Sequence, residues 1–421
     1  MGERDAVILG YDAISPLGID LEEQWQAALA GRSGVGPLTR FSPADDFPVS
    51  IAGQAPDIDD QPSMVQNYPF LSPREQAAWS SPVFRYSMLT VARALERSGF
   101  EITNDIASRV AVTYSSAIGG LDAVLSADRR LRDDNRLPPP YANPNSCINM
   151  VGGKIAIQIG AKGPITTTIN ACATGLTSML VGAMLLVQDR ADVVICGAVD
   201  FALVEPIVAG FYTMNGVYIP KEGRENDPPQ TASRPFSIDR RGFVIAEGAG
   251  AVIIASRQFA DTHGLSYAAG LAGWSMTSDA HHVVAPHLPT VRQCMADAMA
   301  DAGIGSVDID AVNAHAASTK AGDKVEYEAM REVFGNRLPP VSANKSLIGH
   351  AMGASSAIET VFTLCGLRDD LLPPTINYTP DPAMEIDCVA EGCRAVAQEF
   401  VLKNSFGFGG CNSCAVFTKT E

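Results

Sequence analysis

The chain contains little charge and no long apolar run, and these absences exclude several classes of protein. Charged residues make up only 19% of the 421 positions, against 46% that are hydrophobic. No stretch of eighteen uninterrupted apolar residues exists, so no membrane-spanning helix is predicted. The start of the sequence runs into Ala6-Val-Ile-Leu-Gly10 without the charge pattern of a signal peptide, which predicts a soluble, cytoplasmic protein. Short-period repeats and low-complexity segments are also absent.

Basic residues are scarce as well. The 31 lysines and arginines stand against 47 acidic residues, giving a formal net charge of −16. Such a charge argues against nucleic acid or an anionic membrane as the main partner, because both require positive charge. Any acidic partner must therefore find a local basic patch. The densest basic segment, 128–136, carries four arginines interleaved with three aspartates, and a solvated helix face is its alternative interpretation.

Disulfide and metal chemistry receive little support. Nine cysteines are scattered through apolar segments, which is typical of reduced core residues rather than of a disulfide framework. Cys411-Asn-Ser-Cys414 has the spacing of a redox pair, but its place on a predicted terminal strand favours core packing. His281, His282 and His287 have neither a helical ligand pair nor an acidic partner, which favours a loop over a metal site.

The order of segments predicts an α/β fold. With 37 glycines and 27 prolines the chain has many turns, and its length predicts two halves of roughly 200 residues each. Strands rich in valine, isoleucine and alanine alternate with helices, which is typical of a buried sheet covered by helices. Each half ends in a glycine-rich strand, at 248–254 and at 409–417. We therefore predict a duplicated layer fold, divided into residues 1–255 and 256–421.

Hydrophobic periodicity gives bounds for individual elements. The predicted strands are 6–11, 109–115, 192–200, 243–255, 310–315, 340–343 and 413–418. The predicted helices are 21–31, 82–98, 145–160, 173–189, 290–303, 322–335 and 350–368. Two proline-containing segments with little periodicity, 57–81 and 216–233, are predicted to be functional covers or insertions.

A lone thiol, Cys172, follows a sharp change in residue type. In Thr166-Thr-Thr-Ile-Asn-Ala-Cys-Ala-Thr-Gly175, β-branched residues give way to small ones and then to the apolar stretch 176–188. This predicts a strand, a sharp turn and a buried helix. The thiol falls in the first turn of that helix, where the macrodipole and free N–H groups favour a thiolate. An inert core cysteine is the alternative, because free cysteines are usually buried.

Three later segments contain candidate partners for this thiol. His315 ends the predicted strand in Asp310-Ala-Val-Asn-Ala-His-Ala-Ala-Ser-Thr319. Lys345 leads a turn, and His350 opens a helix of small and apolar residues. Because small residues flank both histidines, a site is favoured over packed core histidines. Asn404-Ser-Phe-Gly-Phe-Gly-Gly-Cys-Asn412 alternates bulky and absent side chains, so its backbone can approach a ligand while a ring swings.

In this order the motifs resemble the elongating β-ketoacyl-[acyl carrier protein] synthases of fatty-acid and type II polyketide systems. The resemblance is carried by Asn-Ala-Cys-Ala-Thr-Gly around Cys172, Asn-Ala-His at His315, Asn344-Lys-Ser-Leu-Ile-Gly-His350, and Asn-Ser-Phe-Gly-Phe-Gly-Gly from Asn404. Ser233-Arg-Pro-Phe236 and the segment 239–250 extend it over essentially the whole chain. It implies the thiolase fold, in which two similar halves form five αβαβα layers, usually in a dimer.

The resemblance also implies a decarboxylative Claisen condensation. Cys172 takes an acyl chain from acyl carrier protein, and the backbone N–H groups of Cys172 and Phe408 form the oxyanion hole. His315 and His350, as neutral imidazoles, donate to the thioester oxygen while malonyl carrier protein loses carbon dioxide. The enolate then attacks the acyl group and lengthens it by two carbons. No metal or separate cofactor is implied, since the phosphopantetheine of the carrier protein holds the substrates.

Supporting roles are implied for further residues. Lys345 is interpreted as a buried electrostatic and positioning residue with Glu326 as its counter-charge, and a surface ion pair is the alternative. Glu326 lies one helical turn from Asp323 in the Asp-Lys-x-Glu run of the family. Phe408 resembles the gate that admits malonyl after acylation. Approximate alignment assigns the acyl pocket and other substrate contacts to Val124, Phe211, Thr319, Phe406 and Gly409.

The sequence departs from the family at several positions. Ala316-Ala317 replaces the usual Gly-Thr, which removes one hydrogen bond to the pantetheine arm, worth about 1 kcal/mol. Only Arg74 is basic in the loop 73–82, and Arg241 replaces a common acidic residue. These changes predict a specialised carrier protein, or a heterodimer with a ketosynthase-like chain-length-factor subunit in place of a homodimer.

Two other functions compete with condensation. One is a non-catalytic chain-length factor, which typically lacks the nucleophile present here. The other is an acyltransferase or thiolase-like enzyme that uses the thiol without decarboxylation. The pair of histidine motifs favours the decarboxylating reaction.

Overall fold

The computed structural model describes residues 5–42, 47–58, 62–220 and 227–420, and its main sheet has nine strands. In chain order they are β1 (Ala6–Ile14), β2 (Val110–Ser115), β3 (Val193–Phe201), β4 (Glu247–Ser256), β5 (Ala269–Ser278), β6 (Ala311–Asn313), β7 (Val341–Ser342), β8 (Phe400–Gly407) and β9 (Cys411–Thr418). Their order across the sheet is β2-β3-β4-β1-β5-β9-β8-β6-β7. The sequence did not predict β5 or β8.

The sheet consists of two halves that meet weakly. Strands β1 and β5 pair over only two positions, Val7 with Gly270 and Ile8 with Ala269. In the first half β2 and β3 are parallel, β4 and β1 are antiparallel additions, and an isolated parallel bridge joins Ile165 to β2. In the second half β7, β6 and β8 are parallel, and β9 and β5 are antiparallel. When the Ile165 bridge is counted as the third strand of the first half, both halves have the order 3-2-4-5-1 in chain numbering, as a duplicated fold requires. The boundary at 255/256 stays a prediction.

Nine longer helices accompany the sheet in the described ranges. They are α1 (Leu21–Leu29), α2 (Pro82–Ser98), α3 (Leu121–Arg132), α4 (Asn149–Ile159), α5 (Thr174–Val187), α6 (Glu205–Thr213), α7 (Leu288–Asp301), α8 (Lys320–Phe334) and α9 (Met352–Asp369). The predicted helix 145–160 is interrupted, because a short helix, Ala142–Ser146, ends before α4 begins. Neither α3 nor α6 is among the predicted helices, although a solvated helix face was one interpretation of 128–136. The structure has helix there only to Arg132, which is exposed and pairs with Asp128 at 2.6 Å.

Layering follows from which helix faces are apolar. Helices α5 and α9 pack against each other and against strands of both half-sheets, so they form a central layer. Helices α2 and α4 cover the outside of the first half, while α7 and α8 cover the second. Helix α9 is buried from Met352 to Leu367, as expected for a helix without a solvent face. The five αβαβα layers form the thiolase-like fold.

The two central helices cross without intervening side chains. A Cβ at Gly175 of α5 would lie 2.5 Å from the backbone nitrogen of Ala357 in α9, so the backbones are in contact there. The hydroxyl of Ser356 accepts a hydrogen bond of 3.1 Å from the N–H of Leu176. This crossing brings the first turns of α5 and α9 to one place.

The two predicted loops differ from one another. Segment 62–78 is a series of short helices, Pro62–Asn67, Pro69–Leu71 and Pro73–Ala78, each with proline in its first turn, where no backbone N–H is needed. In the second loop Val217 forms an isolated parallel bridge with Phe243, and a 3-10 turn spans Pro229–Thr231. Its charged residues at 221–226 lie outside the described residues. In the ranges described, no helix is both long and apolar enough to cross a membrane.

Candidate active site

Cys172 lies in a 3-10 turn, Ala171–Ala173, immediately before α5. Its neighbour Ala171 has a φ of +46°, a left-handed conformation that alanine rarely adopts. The hydroxyl of Thr174 holds the turn, since it donates to Ala171 O at 2.7 Å and accepts from the N–H of Asn170 at 3.0 Å. The thiol is therefore presented at a defined point at the start of a central helix.

His350 faces this thiol from the other half. Its Nε2 lies 3.1 Å from Cys172 Sγ, and its Nδ1 lies 2.9 Å from Ser355 Oγ. The backbone of His350 is bonded to the segment before β4, with N–H to Val244 O at 2.7 Å and O to the N–H of Ala246 at 2.9 Å. The structure thus brings together the predicted thiol and imidazole, and it adds a hydroxyl that the sequence did not single out.

His315 follows β6 and completes a cluster of rings. Its centroid lies 5.8 Å from that of His350, with the planes at 83°, and 5.8 Å from that of Phe406. The Nδ1 atom of His315 is buried and has no hydrogen-bond partner among the described residues. Both imidazoles line the same cavity as Cys172.

Two carboxylates on α8 hold the loop after His315. Glu326 accepts hydrogen bonds from the backbone N–H groups of His315 and Ala316, at 2.8 and 2.7 Å. Asp323 accepts from the N–H groups of the next three residues and of Phe236, at 2.9 to 3.2 Å. Their i, i+3 spacing places both on the helix face that meets the loop. Glu326 is therefore a loop-holding residue.

The counter-charge of Lys345 is Glu359, so the prediction of Glu326 was wrong. Lys345 is buried, its ammonium forms an ion pair with Glu359 in α9, and it donates to His315 O at 2.8 Å. Glu359 also accepts from the ammonium of Lys403 at 2.8 Å. In the sequence, Glu359 is the one charged residue in the run 352–367, and this isolation could have indicated a buried ion pair.

Burial sets the protonation of the reacting groups. Desolvation lowers the pKa of His315 and of His350 well below the ordinary value, and the charge of Lys345 lowers both further. Neutral imidazoles are thus present, as predicted. Burial raises the pKa of Cys172 to about 12, although Lys345 and the N–H of Phe408 oppose this. The expectation of a thiolate at the helix start was therefore wrong for the resting site, and Nε2 of His350 is positioned to accept the proton.

The cavity above Cys172 has a volume of about 820 Å³ and is mostly apolar. Predicted contacts Phe211, Phe406, Phe408 and Thr319 line it, and Thr319 also caps α8 through a 3.2 Å bond from the N–H of Gly322. The backbone N–H of Phe408, just past the end of β8, interacts with the Cys172 thiol, and its role in an oxyanion hole stays a prediction. Swinging of the Phe408 ring stays a prediction.

Two predicted pocket residues lie elsewhere. Val124 is 44% exposed on α3 and does not line the cavity of this chain, because its helical phase turns it outward. Gly409 is exposed, and its N–H donates to Val283 O at 2.7 Å. Ile118, in the turn before α3, lines the cavity instead of Val124.

The departures from the family motifs fall at the edges of the cavity. Ala317 lines it and presents a methyl group where the family motif has a hydroxyl. Arg241 is exposed and also lines the cavity, together with Lys320 at the start of α8. Arg74 is exposed on the short helix Pro73–Ala78, outside the cavity.

The described residues contain no metal-binding cluster and no disulfide bond. No group of three or more histidine, cysteine, aspartate or glutamate side chains in the described ranges could hold a metal ion. The rings of His281 and His287 contact each other in the loop before α7, with centroids 4.9 Å apart and planes tilted by 33°. All nine cysteines are free, and Cys414 is buried in β9 as predicted.

Comparison with known proteins agrees with this geometry. The model of the beta-ketoacyl synthase N-terminal domain matches residues 3–260, and that of the C-terminal domain matches residues 268–379. The 3-oxoacyl-[acyl-carrier-protein] synthase 2 of Coxiella burnetii is 35% identical over 426 residues, which cover 100% of this chain and 99% of that protein.

Solved structures with the same fold include two ketosynthase assemblies. The ishigamide ketosynthase/chain length factor has a TM-score of 0.89 and 26% identity, with 100% of both chains covered. A type II polyketide acyl-carrier protein in complex with its ketosynthase, bound to the hexaketide, has a TM-score of 0.88 and 25% identity over 100% of both chains. The chain therefore belongs to the β-ketoacyl synthase family.

Proposed function

We propose that this chain condenses an acyl group held on Cys172 with malonyl-[acyl carrier protein], releasing carbon dioxide and a β-ketoacyl-[acyl carrier protein]. The observation that supports this best is the contact of 3.1 Å between Cys172 Sγ and His350 Nε2, with His315 on the same apolar cavity. His350 can accept the proton of the thiol. Together, His315 and His350 can then donate two hydrogen bonds to a thioester oxygen that becomes negative.

Acylation is the first step. The Cys172 sulfur attacks the thioester carbonyl of acyl carrier protein while its proton passes to His350 Nε2, since the raised pKa keeps the resting thiol protonated. The N–H groups of Cys172 and Phe408 bind the oxyanion of the tetrahedral intermediate. The pantetheine sulfur then leaves with the proton from His350, and the acyl group remains on Cys172.

Decarboxylation and carbon–carbon bond formation follow. The malonyl carboxylate leaves as carbon dioxide, and its bonding electrons move to the thioester oxygen as an enolate. His315 and His350, neutral at pH 7, donate N–H groups to that oxygen, His350 from Nε2 in the tautomer whose Nδ1 accepts from the Ser355 hydroxyl. The enolate carbon attacks the acyl carbonyl on Cys172, the Cys172 thiolate leaves, and it takes up one proton. The product is longer by two carbons.

The acyl chain is held by the apolar part of the cavity, whose walls include Ile118, Phe211 and Phe243. An apolar volume of about 820 Å³ suits a hydrocarbon or polyene chain better than a charged substrate. Specialised polyketide or polyene elongation is the pathway we favour, because the motifs around the pantetheine and carrier-protein contacts depart from the fatty-acid pattern at Ala317 and Arg241.

A partner subunit is part of the proposal. Exposed apolar side chains cluster on α3 and in the following segment, and a second ketosynthase-like chain, identical or of the chain-length-factor type, would cover them. These side chains are Val124, Leu131, Leu137 and Tyr141. Sedimentation of the purified chain alone and with candidate partners distinguishes a homodimer from a heterodimer.

The decisive experiment is mass spectrometry of the purified chain with acyl and malonyl carrier proteins. We expect an acyl adduct on Cys172, carbon dioxide release and a product longer by two carbons. Acylation without carbon dioxide release identifies the competing acyltransferase, and absence of both indicates a non-catalytic chain-length factor. The chain-length-factor alternative is disfavoured by the intact contact between Cys172 and His350.

A further inference from the structure

A second buried lysine, Lys403, lies behind the active site and does not line the cavity. It is on β8, and no part of its side chain is exposed. Three oxygens surround its ammonium group: Glu359 Oε2 at 2.8 Å, the carbonyl of Asn404, and Ser405 Oγ at 3.3 Å. The sequence did not single out this residue.

Compensating Glu359 does not account for Lys403. Burying an ammonium group away from water costs several kcal/mol unless it is well paired. Glu359 already has a counter-charge in Lys345, so two ammonium groups share one directly paired carboxylate. Burial lowers the pKa of Lys403, while the charge of Glu359 and that of Glu326, which Lys403 does not contact directly, oppose this. An apolar side chain at position 403 would leave the Lys345–Glu359 pair neutral. The second ammonium therefore needs a reason other than compensating Glu359.

The contacts of Lys403 lead to both ends of one residue, His315. Through Glu359 it reaches Lys345, whose ammonium donates to His315 O at 2.8 Å. Through Asn404, whose carbonyl it binds and whose side-chain amide donates to Glu326 at 3.1 Å, it reaches the carboxylate that accepts from the His315 N–H. The carbonyl and the N–H of His315 are thus each bound by a residue, Lys345 or Glu326, that is linked to the Lys403 ammonium through one intervening residue.

His350 is held differently. Its ring contacts Ser355, and its backbone is bonded to Val244 and Ala246, none of which touches Lys403. The charge of Lys403 also lowers the pKa of His315, after burial and Lys345, whereas for His350 only burial and Lys345 act. The influence of Lys403 is therefore directed at one of the two imidazoles.

We propose that Lys403 is a positioning residue for decarboxylation: a fixed internal cation that holds His315 and adds positive charge behind the developing enolate. This rests on the proposed function. It predicts an asymmetry between half-reactions, because transfer of the acyl group to Cys172 uses His350, while malonyl decarboxylation needs His315 as well.

Lys403→Met tests this, because methionine has a similar length and lacks the charge. We expect acylation of Cys172 to stay within about threefold of the unchanged chain, while carbon dioxide release from malonyl carrier protein falls about 100-fold. The substitution leaves three oxygens around an unoccupied position, so added ammonium ion should restore part of the decarboxylation. Tetramethylammonium at the same ionic strength is too large and should not.

Lys154→Met is the matched control, because Lys154 forms a 2.7 Å ion pair with Glu75 far from the cavity. It should change neither half-reaction by more than about threefold. Thermal melting shows whether Lys403→Met is folded. If it is not, Lys403→Gln, which keeps a donor for Glu359 without the charge, should give the same selective loss.

The outcomes separate the two proposals. If the unchanged chain neither acylates Cys172 nor releases carbon dioxide, the proposed function is wrong, and the role of Lys403 falls with it. If the unchanged chain is active, equal losses in both half-reactions, or decarboxylation within threefold of normal in the folded variant, overturn the positioning role alone. A selective loss reversed by ammonium supports it.

Discussion

The central helices α5 and α9 occupy equivalent places in the two halves, each before the fourth strand of its half-sheet, but their first turns carry different chemistry. Helix α5 begins at a neutral thiol and contains no charged residue. Helix α9 begins beside an imidazole and carries Glu359, which contacts two buried ammonium groups. The duplicated scaffold thus supplies two helix starts, of which, in the proposed reaction, one holds the acyl group and the other moves protons and stabilises charge.

The largest expected effect comes from removing the sulfur atom of Cys172, in the turn before α5. Cys172→Ala should abolish acylation and condensation, because no other thiol lines the cavity among the described residues. The loss should exceed about 1,000-fold in carbon–carbon bond formation. Intact-mass measurement after incubation with acyl carrier protein checks this, with Cys414→Ala as a control for a buried, unreactive cysteine. Continued chain extension by Cys172→Ala would refute the assignment of the nucleophile.

The next effect separates the two halves. His315→Ala should leave acylation of Cys172 largely intact, because the thiol contacts His350 and not His315. Carbon dioxide release should fall by about 100- to 10,000-fold, the usual range for a lost acid–base or polar catalytic group. Trapping labelled acyl carrier protein measures the first half-reaction and radiolabelled malonyl carrier protein the second. Equal loss in both would remove the distinction between the imidazoles.

A smaller effect, on stability, concerns the buried charge cluster around Glu359 in helix α9. Glu359→Gln should reduce the free energy of unfolding by about 3–5 kcal/mol, because two buried ammonium groups lose their shared carboxylate. Urea denaturation measures the change. Glu75→Gln, at a partly buried pair near the surface with Lys154, should cost about 1 kcal/mol. Similar losses for the two variants would show that burial of the cluster is unimportant.

The smallest effect tests the apolar wall supplied by the first half. Ile118→Trp should reduce kcat/KM for the longest accepted acyl chain by about tenfold or more, because the added ring fills the cavity, while short chains are spared. Val124→Trp, on the exposed face of α3, is the control and should not change chain preference in the chain alone. A chain-length series with each variant compares them. If only Val124→Trp shortens the product, the acyl wall has been placed on the wrong residue.

Much of the fold, and the residues that meet at the candidate site, could be predicted because they lie in recognisable local motifs. Cys172, His315 and His350 each sit in a run of small residues that was visible in the sequence. Strand β5 was missed because four of its ten residues are glycine or alanine, which have low strand propensity. Strand β8 was missed because its end, from Asn404 to Gly407, belongs to a segment whose alternating bulky and absent side chains were interpreted as a ligand contact.

The errors at the site concern contacts that spacing does not determine. Glu326 was predicted to be the counter-charge of Lys345 from its local motif. The actual counter-charge is Glu359, which packing of helix α9 brings next to the lysine. The thiolate was predicted from the helix dipole, but burial outweighs that effect and raises the pKa of Cys172. Val124 was placed by approximate alignment, and one change in helical phase moves it to the surface.

The close crossing of Gly175 and Ala357 has a consequence for redesigning substrate range. The separation of Cys172 and His350 follows from backbone contact between two helices, with no side chain as a spacer. The walls at Ile118 and Phe211 come from other segments of the chain. Chain selectivity can therefore be altered by exchanging wall residues while the reacting pair keeps its geometry, so pocket and catalyst form separable modules for engineering.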